Sequence, residues 1–272
     1  MATPAVAPVR VARPDDPRLA PFRDLRDPAL LRETGLFAVE SRLLVRRLLG
    51  GGRFRVRAVL CTESMLADLA PLLAAAPHVE VLVATHPTMR VTIGFDFHRG
   101  CTALAERAGA PTLEAVLAAA PRLVVVGDRV SDPDNVGAIL RNASAFGADA
   151  VLLGPGSGDP FSRKAIRVSA GAALSLPIVA LRDWPADLAR LGEAGLTRVA
   201  LVASPDAVPL DALGRERPIP PRIALLAGNE GEGLSPAARA AADLAVTIRM
   251  RPGVDSLNVA VATGIALHRL TS

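Results

Sequence analysis

The sequence predicts an α/β protein with a smaller N-terminal α/β domain and a second domain built on a mainly parallel sheet. Short apolar runs alternate with helical segments along most of the 272 residues, and strands that alternate with helices usually pair in parallel. The alternation is interrupted at Gly109-Ala110-Pro111, because Gly and Pro break periodic structure. We therefore expect an arm over 1–28, an α/β domain over 29–108 and a second domain over 109–272.

The elements of the first α/β domain follow from apolar periodicity. Leucines spaced between arginines predict a helix over 41–49, with an apolar stripe on one face. Runs rich in β-branched residues predict strands over 56–61 and 79–84. A helix is expected between them over 65–75, and a further strand over 100–106.

The second domain repeats the alternation. A continuous apolar run at 123–126 is typical of a strand buried on both faces of a sheet. Further strands are predicted over 150–153, 178–181, 199–203, 223–227 and 245–248. Helices are predicted over 136–146, 163–169, 186–194, 237–242 and 257–270.

Positive charge is concentrated at the N-terminal end. Residues 1–60 hold twelve arginines and six acidic residues, whereas the whole chain has a net charge of +4. A basic face suits a polyanion, because each neutralised phosphate releases counterions, but a solvated arginine-rich surface explains the same bias. The chain lacks tyrosine and Trp184 is its single tryptophan. We therefore expect any bound RNA to be held through its backbone and shape.

The remaining composition bears on metals and localisation. Cys61, Cys101 and the four histidines show no metal-ligand spacing, so we expect no metal. Free thiols are typical of a reducing compartment, and the first residues lack the apolar core of a signal peptide. The longest apolar run is about half of the roughly 20 residues that a membrane span requires. A cytoplasmic protein without a membrane partner is expected.

Polar and small residues are combined in three separated segments. They are 134–143 (DNVGAILRNA), 226–234 (LAGNEGEGL), and 248–250 (IRM) followed by 255–262 (DSLNVAVA). Each has an ordinary explanation: a capped helix with an exposed arginine, a glycine turn, and a buried C-terminal helix capped by Ser256. That last helix also suits a subunit interface. The first two segments follow predicted strands, and ligands gather at the carboxyl ends of parallel strands.

A fourth glycine-rich run, 154–159 (GPGSGD), matches neither phosphate-binding pattern. It lacks the Gly-Lys-Ser/Thr of a P-loop, and Asp159 stands where the dinucleotide pattern has glycine. This disfavours a nucleotide-binding enzyme of the ordinary doubly wound type and favours a flexible loop. Its neighbours that suit contact with RNA phosphates are Ser162, Arg163, Lys164 and Arg167.

Together the three segments resemble the signature motifs of the SpoU/TrmH class of SPOUT RNA methyltransferases, in the same order and at typical separations. The resemblance covers most of 120–270. Residues 37–41 (FAVES) are similar to the start of the family's accessory RNA-substrate-binding domain, which resembles a small ribosomal protein. The resemblance implies a C-terminal domain knotted as a trefoil that holds bent S-adenosylmethionine. It also implies a homodimer whose active sites use both subunits.

The resemblance also implies the site residues. The catalytic set is Arg141, Asn135, Glu230, Ser256 and Asn258, with Arg141 reaching the cofactor of the partner subunit. The cofactor-binding set is Leu226, Ala227, Gly228, Asn229, Gly231, Ile248, Met250, Ser256 and Leu257. Arg249 departs from the family, which usually has proline between the isoleucine and the methionine. We expect backbone binding to survive this change in a less rigid loop.

The implied activity is methyl transfer from S-adenosylmethionine to a ribose 2′-hydroxyl in RNA. The accessory domain favours ribosomal RNA over transfer RNA. A guanidinium stays protonated in proteins, so we expect Arg141 to anchor the target phosphate and polarise the hydroxyl. The alternatives are a tRNA 2′-O-methyltransferase and a catalytically silent RNA-binding protein of the same fold. The retained polar residues of the motifs argue against the silent protein.

Overall fold

The structure is a computed structural model with two compact units. It describes residues 7–23, 25, 33–94, 99–107 and 109–272. The N-terminal unit comprises 1–109 together with 161–167, and the C-terminal unit comprises 110–160 and 168–272. From sequence alone the segment 161–167 is expected in the second domain, whereas the structure groups it with the first unit.

The described part of the N-terminal unit contains a mixed five-stranded sheet. Its strands are β1 (Val9–Arg10), β2 (Leu36–Glu40), β3 (Val56–Cys61), β4 (Glu80–Val83) and β5 (Cys101–Glu106). They lie in the order β1-β4-β3-β5-β2. β1, β4 and β3 run parallel to one another, whereas β5 is antiparallel to both β3 and β2. The N-terminal arm therefore supplies an edge strand.

Helices cover this sheet, and threonine side chains fix where two of them begin. The helices are α1 (Arg42–Gly51), α2 (Glu63–Ala74) and α3 (His86–Ile93). The Thr62 hydroxyl accepts from the Met65 N–H, and the Thr85 hydroxyl accepts from the Thr88 N–H. Each hydroxyl satisfies a free donor of the first helical turn. The core under the helices includes Leu19, Phe22, Leu60, Leu82, Met89 and Leu104.

The segment 161–167 belongs to the N-terminal unit through aromatic and ionic contacts. The ring centroid of Phe161 lies 5.2 Å from that of Phe37 and 5.5 Å from that of Phe54. Arg163 begins α6 (Arg163–Val168) and forms an ion pair with Glu40. Arg163 is therefore engaged within the protein, which argues against the RNA contact that its sequence position suggested.

The C-terminal unit contains a seven-stranded sheet within its described residues, and every described pairing is parallel. Its strands are β6 (Leu123–Asp128), β7 (Ala150–Leu153), β8 (Ile178–Ala180), β9 (Thr197–Leu201), β10 (Val208–Pro209), β11 (Ile223–Gly228) and β12 (Leu244–Thr247). The order is β10-β12-β9-β11-β6-β7-β8. The parallel pairings confirm the mainly parallel sheet predicted from the sequence.

Helices pack on this sheet. They are α4 (Leu113–Ala118), α5 (Pro133–Ala145), α7 (Ala186–Glu193), α8 (Pro236–Ala241) and α9 (Val259–Thr271). The helix at 113–118 was not predicted from the sequence, the one at 186 begins at the predicted residue, and the other three begin one to three residues from their predicted starts. Asp132 caps α5 by accepting from the Asp134 N–H at 2.9 Å, so that Asn135 falls in the first turn. Ser256 is the cap of α9 that the sequence predicts, whereas the structure shows Asn258 in that position. The Asn258 Oδ1 accepts from the Ala260 and Val261 N–H groups.

The two longest helices of this unit pack against each other. The Asn142 Nδ2 on α5 donates to the Ala260 carbonyl on α9 at 2.8 Å. A side chain at Gly264 would lie 2.9 Å from that same nitrogen, so glycine permits the close approach of the helices. Over the described part of the chain, no helix is both long and apolar enough to cross a membrane.

Candidate active site

The first two sequence motifs meet at one edge of the parallel sheet. β6 and β11 pair directly, with Gly228 opposite Asp128 at their carboxyl ends. Beyond β6 the chain enters α5, and beyond β11 it enters the turn 229–233. β11 lies between β6 and β9 although it follows both in sequence. The strand order thus creates a switch point of the kind at which α/β sheets bind ligands.

The glycine-rich turn is closed on itself. The Asn229 N–H donates to the Gly233 carbonyl at 3.0 Å, and the Gly233 N–H donates back at 2.9 Å. The Asn229 Oδ1 accepts from the Gly231 N–H at 2.8 Å. A Cβ at Gly228 would lie 2.3 Å from the Gly233 carbonyl carbon. Only glycine fits at 228, so this residue permits the backbone of the turn to pass close to the strand end.

Asp128, the last residue of β6, and Arg129, which follows it, hold this turn in place, and neither was expected at the site from the sequence. The Oδ2 of buried Asp128 accepts from the Ser235 N–H at 2.6 Å. The Arg129 carbonyl accepts from the Asn229 Nδ2 at 3.1 Å, and its guanidinium pairs with Glu232 at 2.5 Å. Arg129 has φ 56°, a left-handed conformation that is costly for a side-chain-bearing residue. Its contacts to the turn over-determine this conformation.

A chain of side-chain hydrogen bonds joins all three motifs. The Asn135 Nδ2 of the first motif donates to the Glu230 carboxylate of the second. The Asn258 Nδ2 of the third donates to the Asn135 Oδ1 at 2.8 Å. The Asn258 Oδ1 in turn accepts from the first N–H groups of α9, including that of Ala260 at 3.0 Å. We call these three side chains the polar relay.

A cavity of about 370 Å³ opens beside the turn, within the range of small-molecule sites, roughly 300–1,000 Å³. Most of the cofactor-binding residues expected from sequence line it: Ala227, Gly228, Asn229, Gly231, Ile248, Met250, Ser256 and Leu257. Leu226 is not in its lining, because its side chain is buried in the core cluster with Val124 and Val126.

Four of the five catalytic residues expected from sequence line the cavity or belong to the polar relay, and the fifth, Arg141, does neither. Glu230 and Ser256 line the cavity, while Asn135 and Asn258 connect to it through the polar relay. Arg141 is exposed on α5 and does not line the cavity. It makes no hydrogen bond or ion pair with any other described residue.

Several lining residues carry no sequence signal. Residues 201–204 at the end of β9 line the cavity, as do Thr247 and Arg239. β9 is the neighbour of β11 in the sheet, a pairing that sequence patterns do not specify.

Arg249, which departs from the family pattern, has an ion pair of its own. Its Nη1 lies 3.3 Å from the Asp211 Oδ2, and both side chains are largely exposed. Exposed pairs contribute little, about 0–1 kcal/mol. The pair therefore links the loop after β12 to the segment after β10 only weakly.

The charges of the cavity fit the cofactor that the motifs imply. Three carboxylates face the cavity, those of Glu230, Glu232 and Asp255, together with the guanidinium of Arg239. S-adenosylmethionine carries a sulfonium, an ammonium and one carboxylate, so its net charge is opposite to that of the lining. The close backbone approach at Gly228 adds hydrogen-bonding groups beside an apolar wall formed by buried residues such as Ala227, Leu234 and Val259.

Comparison with known proteins gives a consistent result. The SpoU rRNA Methylase family model matches residues 122–268. An uncharacterized tRNA/rRNA methyltransferase of Mycobacterium tuberculosis is 41% identical, over 96% of this chain and 91% of that protein. The AdoMet-bound rRNA methyltransferase from Sinorhizobium meliloti superposes with a TM-score of 0.82 and 25% identity, over 97% of both chains.

A structure described as an RNA 2′-O ribose methyltransferase superposes with a TM-score of 0.72 and 27% identity, over 96% of this chain and 98% of that one. These likenesses, together with the parallel sheet, are consistent with the knotted fold that the motifs implied. The chain therefore belongs to the SpoU rRNA Methylase family and is an S-adenosylmethionine-dependent RNA methyltransferase, as its motifs predicted.

Proposed function

We propose that this enzyme methylates a ribose 2′-hydroxyl in ribosomal RNA, in the cytoplasm and as a homodimer. The observation that carries the proposal is the polar relay, which links the three motifs at the rim of the cavity. The solved relatives described as an rRNA methyltransferase and an RNA 2′-O ribose methyltransferase support the choice of RNA and of ribose. The N-terminal unit is assigned to recognition of the RNA substrate.

The chemistry requires alignment of a weak nucleophile. When bound, S-adenosylmethionine supplies an electrophilic methyl group. The residues around Gly228 and Leu257 hold the cofactor, while the polar relay fixes the Glu230 carboxylate at the rim. Such positioning converts an encounter in solution into a reaction between oriented groups.

Arg141 is assigned the role of anchor for the target nucleotide. Its guanidinium remains protonated and offers five N–H donors, so it binds a phosphate and polarises the neighbouring hydroxyl. The hydroxyl proton then passes to a phosphate oxygen or a water molecule, since the guanidinium has no acceptor.

The homodimer explains why Arg141 lies outside the cavity of its own chain. Leu257, Val261 and Ile265 are spaced four residues apart and are 36%, 53% and 41% exposed. Contiguous exposed apolar side chains mark interaction surfaces. Leu257 also lines the cavity, so the proposed interface and the cofactor site are adjacent. A second copy on this face would bring its Arg141 from α5, the helix packed against α9, towards this cavity.

Substitution of Arg141 tests the assignment. We expect Arg141→Ala to abolish tritium transfer from labelled S-adenosylmethionine to total RNA while calorimetric cofactor affinity stays nearly unchanged. Arg215→Ala, at another exposed arginine, is the matched control and should keep full transfer. Equal losses of transfer and cofactor affinity in Arg141→Ala would contradict the anchoring role.

Fractionation of the labelled RNA addresses the two alternatives. Label in ribosomal RNA supports the proposal, and label confined to transfer RNA supports the tRNA enzyme. Absence of label in every fraction, with cofactor binding intact, would favour the catalytically silent RNA-binding protein.

A further inference from the structure

We infer that Arg239 binds the α-carboxylate of S-adenosylmethionine and so selects the complete cofactor over analogues that lack this group. The inference rests on the proposed use of the cavity beside the turn 229–233 for the cofactor. Arg239 lies in none of the three motifs, and its position in the cavity becomes visible only in the folded chain.

Charge matching singles out Arg239. Among the described residues that line the cavity it is the one cation, and the carboxylate is the one anion of the cofactor. Two of the three lining carboxylates already have partners, since Glu230 bonds to Asn135 and Glu232 pairs with Arg129. Asp255 makes no hydrogen bond or ion pair with a described residue, so it is available to the ammonium group.

The guanidinium of Arg239 is held in place by one of its donors. Its Nε donates to the Leu234 carbonyl at 3.0 Å. Its Nη2 lies 3.3 Å from the position that a Cβ on Gly233 would occupy, so the group lies against the glycine-rich turn. Neither terminal nitrogen hydrogen-bonds to a described residue. The planar group therefore keeps N–H donors free, and paired donors of this kind bind carboxylates bidentately.

Exposure distinguishes the two ends of the cavity. Ala227, Gly228 and Leu234 are buried, whereas Arg239 and Asp255 are exposed. An apolar wall with backbone groups suits a nucleoside, and burial of unpaired charge is costly. The charged amino-acid end of the cofactor therefore belongs at the open side, where Arg239 and Asp255 lie.

Calorimetry with two ligands tests this assignment. S-adenosylmethionine and its decarboxylated form differ by the carboxylate alone. We expect the wild-type dimer to bind the complete cofactor roughly ten- to a hundredfold more tightly, the range typical of charge-assisted hydrogen bonds. Arg239→Ala should lower the affinity for the complete cofactor to that of the decarboxylated form. Its affinity for the decarboxylated form should match wild type. Arg239→Lys, which keeps the positive charge, should recover part of the preference, and Arg215→Ala should keep all of it.

Three outcomes would overturn the inference. Equal weakening of both ligands by Arg239→Ala would show that Arg239 only supports the turn through Leu234. A wild-type protein that binds both ligands equally would show that the carboxylate is not recognised. A wild-type protein that binds neither ligand would show that the cavity is not the cofactor site. In the first two outcomes, by contrast, the cavity still binds the cofactor and only the role of Arg239 is lost.

Discussion

Each unit has a cavity at the carboxyl ends of parallel strands, and the two differ in how their polar groups are used. The cavity of the N-terminal unit, about 470 Å³, is lined by residues that include Arg10, Thr62 and Thr85. There the threonine hydroxyls cap helices and Arg10 pairs with Glu63 at 2.6 Å. In the C-terminal cavity the terminal nitrogens of Arg239 and the Asp255 carboxylate have no described partner. A position at strand ends creates space, but unused polar groups beside that space make it a candidate binding site.

The largest effect is expected at the strand end of the C-terminal cavity. Gly228→Ala places a Cβ 2.3 Å from the Gly233 carbonyl carbon, so the turn must shift. We expect loss of cofactor binding and destabilisation of about 1–3 kcal/mol, as for overpacked sites, measured by calorimetry and urea unfolding. Gly231→Ala is the control for stability, because its Cβ would meet only the Asn229 side chain at 3.5 Å. Equal stability of the two variants would contradict the close-approach argument.

The polar relay should show the next largest effect. Asn135→Ala removes its hydrogen bonds to the Glu230 carboxylate and the Asn258 amide, and each such bond typically contributes about 0.5–1.5 kcal/mol. A double-mutant cycle with Asn258→Ala should give a coupling energy of at least about 0.5 kcal/mol in urea unfolding. Methyl transfer should fall in both single variants. Strict additivity of the two changes would show that the relay does not act as a unit.

A smaller effect is expected in the cavity of the N-terminal unit. Thr62→Ala removes the cap of α2 and should cost about 1 kcal/mol of stability. Its affinity for S-adenosylmethionine should equal that of wild type, because the lost hydroxyl serves a helix and not a ligand. Thr62→Ser keeps the hydroxyl and serves as the control. Weakened cofactor binding in Thr62→Ala would contradict the statement that the polar groups of the N-terminal cavity serve helices and not a ligand.

The smallest effect concerns the buried thiols of the N-terminal unit. Burial raises the pKa of Cys61 and of Cys101 to about 12, so almost no reactive thiolate exists at pH 8. We expect a thiol-reactive dye to label the native protein slowly and the urea-unfolded protein fast. Rapid labelling of the native protein at pH 8 would show that these strands open readily.

Local patterns were sufficient for most of the secondary structure. β3 and β7 have the predicted bounds, because both segments are rich in apolar residues and include valine. β2 overlaps the family motif at 37–41 and is not among the strands predicted from periodicity, and the two-residue β1 is too short for any periodicity. α5 begins at Pro133, three residues before its predicted start, since proline is favoured in the first helical turn.

Site residues could be predicted only where a motif carries them. The residues of the polar relay lie within the motifs, and hydrogen bonds join them in the structure. Asp128 and Arg129 contact a turn about a hundred residues away, and only the pairing of β6 with β11 creates those contacts. The same limit applies to Arg239, since no local pattern shows which face of α8 lines a cavity.

The most direct test of the central claim is a map of 2′-O-methyl groups in ribosomal and transfer RNA from cells with and without this gene. We expect one or more ribose positions in ribosomal RNA to lose the methyl group in the deletion strain and to regain it with wild-type protein but not with Arg141→Ala. Identical maps in both strains, or a lost methyl group that had been on a base, would contradict it.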